Sequence, residues 1–171
     1  MAHHKNDHPC WMDAITTGVF QVPANNPGGT NEVINVVLEN PSSKTLTVYW
    51  VFEASDIVDY GINSPVATSA PFKIVVAPHS TQMHALSAQS PGSLADFLFR
   101  FIFWGDIDLE EKKNKLSIEI LAGTSTSSSL TSAKLSSGDA SVLFRHENFL
   151  ETKFKKDADR VPLQGNSITI L

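Results

Sequence analysis

The chain has 171 residues, long enough to bury a core without disulfide or metal staples and of the size of one domain. Its composition, 42% hydrophobic and 18% charged, is that of an ordinary globular protein with few charges. The net charge is −5, from 13 Lys and Arg against 18 Asp and Glu, and this acidic balance argues against a nucleic-acid partner, which needs a basic stripe to displace counterions. A single cysteine, Cys10, forbids an intrachain disulfide.

Residues 1–13 are polar, rich in His and without hydrophobic period, so they are expected to form a flexible N-terminal arm ahead of a domain spanning 14–171. The arm lacks the apolar run of roughly seven or more residues that marks a signal peptide. His3, His4, Asp7, His8 and Cys10 offer imidazole, carboxylate and thiolate groups that transition metals accept. Their spacing fits no standard zinc site and no second cluster follows, so no metal or other cofactor is expected. A lone thiol on such an arm is placed either to cross-link to a neighbour or to stay reduced, tucked beside Trp11.

Residues 14–22 have β character, and 23–30 (PANNPGGT) form a turn-rich connector. The centre of the chain is 32–54. Ile34, Val36 and Leu38 alternate with Asn35, Val37 and Glu39, and after Asn40-Pro41-Ser42-Ser43 the alternation resumes with Leu46, Val48, Trp50 and Phe52 on one face. Two period-two segments broken by turn residues predict two antiparallel strands joined by a tight turn, the natural centre of a sandwich core. The connection 55–71 follows, containing Asp56, Asp59 and Tyr60, and loops of this length are often functional or cover an edge.

Phe72, Ile74 and Val76 alternate, and 81–88 is a weaker strand diluted by Gln82, His84 and Ser87. The most apolar stretch is 95–104 (ADFLFRFIFW). A helix would scatter its four phenylalanines, whereas a strand places Phe97, Phe99, Phe101 and Phe103 on one face and Leu98, Arg100, Ile102 and Trp104 on the other. Arg100 interrupts the run, so no segment approaches the roughly 18 apolar residues of a membrane helix and no membrane insertion is expected. Residues 105–114 are a charged loop, and 115–121 a half-exposed strand. The Ser/Thr-rich 122–140 is either a loop or a polar edge strand, and a short strand follows at 141–145. The polar 146–160 has an amphipathic flavour, and its basic cluster 153–156 reads as a solvated loop. The chain ends in SITIL, which normally pairs with another strand because a loose one invites aggregation. The sum is about eight or nine strands, an all-β fold with a single antiparallel β-sandwich of immunoglobulin-like or jelly-roll kind.

The chemistry-bearing residues are sparse. No G-x-S-x-G, P-loop or G-x-G-x-x-G occurs. An enzyme would need His79, His84 and His146 to converge with an acid in one pocket, and no catalytic residue is expected. Asp106, Asp108, Glu110 and Glu111 read as a solvated turn, since the spacing of a calcium loop is missing. The residues that scaffold alone does not explain are the arm, the SITIL end and the second face of 95–104. These point to a non-enzymatic structural subunit that assembles with itself into a fibre, coat or shell, with Cys10, Trp11, Leu98, Ile102, Trp104, Ile168 and Ile170 as subunit contacts. A cell-surface, extracellular or particle-surface location suits that role. The alternative is a glycan- or protein-binding module that uses the 55–71 and 105–114 loops, with Tyr60, Trp104, Asp106 and Asp108 at the site.

Overall fold

The structure, a computed structural model, describes residues 11–26, 29–57, 66–88, 93–107, 116–124, 141–155, 161–162 and 168–170. Its strands in chain order are β1 (Trp11–Thr16), β2 (Phe20–Gln21), β3 (Asn25–Asn26), β4 (Gly29–Thr30), β5 (Val33–Asn40), β6 (Leu46–Asp56), β7 (Ala67–Thr68) and β8 (Phe72–Val76). They continue with β9 (Ser80–Ala88), β10 (Phe97–Gly105), β11 (Ser117–Gly123), β12 (Ser141–Phe144), β13 (Leu150–Lys155), β14 (Val161–Pro162) and β15 (Ile168–Ile170). The first strand thus begins three residues inside the segment expected to be a flexible arm. Trp11, Met12 and Asp13 pair with Lys155, Phe154 and Lys153. Residues 1–10 lie outside the described residues.

The strands form two packed sheets. One has eight strands along the order β13-β1-β10-β6-β7-β14, with β2 added beside β10 and β8 beside β6. The other has five, in the order β12-β11-β5-β9-β15, and β3 with β4 makes a small ribbon. Among the described residues the strands pair antiparallel except β14 with β7, and Ile107 makes an isolated parallel bridge to Leu116. The alternation of β10 and β6 is used as the sequence implies. Phe99, Phe101 and Phe103 with Trp50 and Phe52 point inward, against Ile34, Val36 and Leu38 of β5, Leu86 of β9, and Ile118 and Ile120 of β11. Trp50 lies 5.9 Å from Phe101 and 6.0 Å from Phe103, centroid to centroid, so stacked rings fill the space between the sheets. Among the described residues no helix is long and apolar enough to cross a membrane.

One expectation is corrected. β5 and β6 are not a hairpin: β5 pairs with β9 and β11, while β6 pairs with β10, β7 and β8. The Asn-Pro-Ser-Ser segment therefore carries the chain from one sheet to the other. Two strands facing each other across a sandwich both turn their apolar residues inward, so their alternation matches that of a hairpin. What fixes the crossing is Asn40, fully buried. Its Nδ2 donates to the carbonyls of Lys44 at 2.7 Å, Val76 at 3.0 Å and Ala77 at 3.0 Å. Its Oδ1 accepts from the Ser42 amide at 3.0 Å and the Ser42 hydroxyl at 2.7 Å. Val76 and Ala77 begin the β8-to-β9 connection, which also changes sheet, so one side chain ties the two crossings together.

Candidate interaction surface on the eight-stranded sheet

The outer face of the larger sheet carries a second apolar cluster, formed by Ala14, Val51, Ile102, Trp104 and Phe154, with Met12 and Tyr49 packed on it. Strand register assembles it. Trp104 stands opposite Tyr49 and Ile102 opposite Val51 across β10 and β6. Thr16 stands opposite Ile102 across β1 and β10, and Phe154 opposite Met12 across β13 and β1. The Trp104 ring stacks 4.6 Å from Phe154 and 5.8 Å from Tyr49. As a result Trp104 is 5% exposed and Ile102 4%, and neither offers a broad free face to a neighbour. Leu98 is half-buried, opposite Ser55 of β6 and Gln21 of β2.

Next to this cluster runs a groove of about 220 Å³ lined by Trp11, Thr16, Arg100, Ile102, Thr152, Phe154 and the flanking Lys153 and Lys155. It is smaller than the roughly 300–1,000 Å³ of a small-molecule pocket, and its size suits one inserted ring or side chain. Charge along it is largely neutralised within the chain. Arg100 Nε donates to Glu53 Oε2 at 2.7 Å, and the two residues face each other in register. Lys153 pairs with Asp13. The Thr16 hydroxyl is committed to the Phe101 carbonyl at 2.9 Å. Trp11, by contrast, is 58% exposed.

The groove borders the end of the sheet. β13 pairs with β1 along its whole length, from Trp11 opposite Lys155 to Thr16 opposite Leu150. Among the described residues no strand pairs with its other side, so its outward main-chain donors and acceptors face away from the sheet. Leu150, at the start of this edge, is 61% exposed. The basic residues Lys153 and Lys155, expected in a solvated loop, belong to this strand. The alternation of 150–154, Leu-Glu-Thr-Lys-Phe, was the signal for it, masked by three charges among six residues.

The remaining expected residues are scattered. Ile168 and Ile170 lie in β15, opposite Ala88 and Leu86 of β9, so this strand adds to the smaller sheet within its own chain. Asp106 holds strands together: its Oδ2 accepts from the Thr47 amide at 2.8 Å, and its own amide donates to the Thr47 carbonyl at 2.9 Å. Cys10, Tyr60 and Asp108 lie outside the described residues. The structure thus brings Trp11 and Ile102 to one groove with Trp104 in the adjoining cluster, and places Ile168 and Ile170 on the other sheet.

His84 is on the inner face of β9, opposite Val36, with its ring 6.4 Å from that of Trp50. Its Nε2 and the Trp50 Nε1 are both buried without a hydrogen-bond partner. Burial lowers the His84 pKa from its usual 6.5. His79 sits in the turn after β8 and His146 in the 3-10 turn His146–Asn148. Among the described residues no three His, Cys, Asp or Glu side chains group as metal ligands do. No family model, curated protein or solved structure matches the chain.

Proposed function

We propose that this protein is a non-enzymatic structural subunit that assembles with copies of itself into a fibre, coat or shell at a cell or particle surface. The observation that carries the reading is the outer edge of β13, along which no strand pairs among the described residues, with Leu150 exposed on it and Trp11 exposed on the neighbouring β1. An open strand edge with apolar side chains is a template for strand addition, where main-chain hydrogen bonds supply affinity and alternate side chains supply fit. Both the β5-to-β6 and β8-to-β9 connections change sheet, as connections do in immunoglobulin-like and jelly-roll sandwiches, and we read the fold as one of these. Residues 1–10, with Cys10, and the terminal strand β15 are the further segments proposed to meet neighbouring subunits.

The second reading is a glycan- or protein-binding module, favoured by the exposed Trp11 along a groove that fits a single ring. Light scattering and negative-stain microscopy separate the two. Assembly gives large particles or filaments from the unmodified chain, and fewer or smaller ones from a chain starting at Trp11. A monomer that Trp11→Ala leaves monomeric, and whose glycan retention Trp11→Ala abolishes, supports the binding module and contradicts assembly.

A further inference from the structure

The sequence of β13 is complementary to itself when run antiparallel. We infer that β13 pairs with β13 of a second copy about a two-fold axis through Thr152, a contact that rests on the assembly reading above and names its partner. Three features of the edge lead there. Among the described residues the strand is open along one side. Leu150, Thr152 and Phe154 share the outer face with the apolar cluster, while Glu151, Lys153 and Lys155 share the other. With the axis at Thr152, Thr152 meets Thr152 of the second copy, each Glu151 meets a Lys153, and each Leu150 meets a Phe154.

The neighbouring registers are worse. The outer faces of both copies stay on one side only if the shift moves the axis by a whole residue. An axis at Lys153 sets Lys153 against Lys153 and each Thr152 against a Phe154, although each Glu151 then meets a Lys155. An axis at Glu151 sets Glu151 against Glu151. Both place a like-charge pair directly opposite, and neither pairs Leu150 with Phe154. Only the Thr152 axis gives two opposite-charge pairs, one hydroxyl pair and two apolar pairs at once. It also covers the most exposed aliphatic group of the edge. Leu150 of the second copy comes to lie beside Phe154 on the outer face of the sheet. A lysine on an edge strand ordinarily repels pairing, and here Lys153, which meets Asp13 within its own chain, also faces Glu151 of the second copy in one register only.

The proposal is tested with Glu151→Lys and Lys153→Glu, each alone and mixed in equal amounts, by sedimentation velocity, with circular dichroism to confirm that each variant is folded. In the homodimer either change turns both charge pairs repulsive, so each variant alone is expected to associate at least about tenfold more weakly than the unmodified chain. In the mixture both cross-strand pairs are again of opposite charge. The lysine introduced by Glu151→Lys in one copy faces the glutamate introduced by Lys153→Glu in the other, and the unchanged Lys153 of the first faces the unchanged Glu151 of the second. Association is therefore expected to return. A mixture no tighter than its components, or single variants that associate like the unmodified chain, overturns the pairing. If the unmodified chain and both variants assemble alike, the pairing falls and the assembly reading stands. If the unmodified chain is a monomer throughout, both fall.

Discussion

Asn40 shares its two amide hydrogens among three carbonyls and accepts twice through its oxygen, all in a fully buried position. Replacing it by Ala leaves the Val76 carbonyl without this donor inside the protein, and Asn40→Ala is expected to cost about 2–4 kcal/mol in urea unfolding. Asn40→Asp is expected to cost nearly as much, because a carboxylate cannot donate to the Lys44, Val76 and Ala77 carbonyls. A loss below about 0.5 kcal/mol for both would mean that water serves those carbonyls equally well.

Gly105 is constrained by backbone rather than by hydrogen bonding. Its φ is +114°, and a Cβ there would lie 2.6 Å from the Thr47 carbonyl oxygen. Gly105→Ala is therefore expected to destabilise by about 1–3 kcal/mol, read from the same unfolding curves.

His84 gives a residue-scale prediction for pH. Because burial lowers its folded pKa below the usual 6.5, the unfolded chain binds the proton first as pH falls. Its stabilising contribution is present above pH 6.5 and is lost as pH drops through the lowered folded value. His84→Gln, neutral throughout, is expected to flatten the fall in melting temperature over that window. An unchanged slope in the variant would show that other groups carry the acid sensitivity.

At the scale of elements, the alternation of 97–104 was legible because strand period two and four phenylalanines admit one arrangement that turns them all to the core side. The fate of the opposite face was not legible. Trp104 is covered by Phe154, which lies fifty residues further along the chain and reaches it only because β13 joins β1 and β1 joins β10. No local pattern encodes that adjacency. The same limit hid the sheet change between β5 and β6, since inward-facing alternation looks alike in a hairpin and across a sandwich. Trp104 is thus a packing residue, and Trp104→Ala is expected to lower stability by about 3–5 kcal/mol. If that variant unfolds like the unmodified chain and only changes its association, the Tyr49–Trp104–Phe154 stack contributes nothing to the fold and the face is a contact after all.

Across the whole molecule, two packed sheets bury Trp50 and most of the phenylalanines of β6 and β10 between them, and leave strand edges at β13, β14, β8, β12 and β15 among the described residues. A two-fold contact at β13 closes on itself, so a fibre or shell needs a second contact at another edge or at the ends of the chain. The charge pattern of β13 adds a salt dependence: pairing that relies on Glu151 and Lys153 weakens as ionic strength rises and screens them. The most direct measurement is sedimentation velocity of the unmodified chain over a wide concentration range at low salt. Self-assembly predicts a sedimentation coefficient that climbs with concentration to species of two or more chains. A single species with the mass of one chain at every concentration would contradict the account.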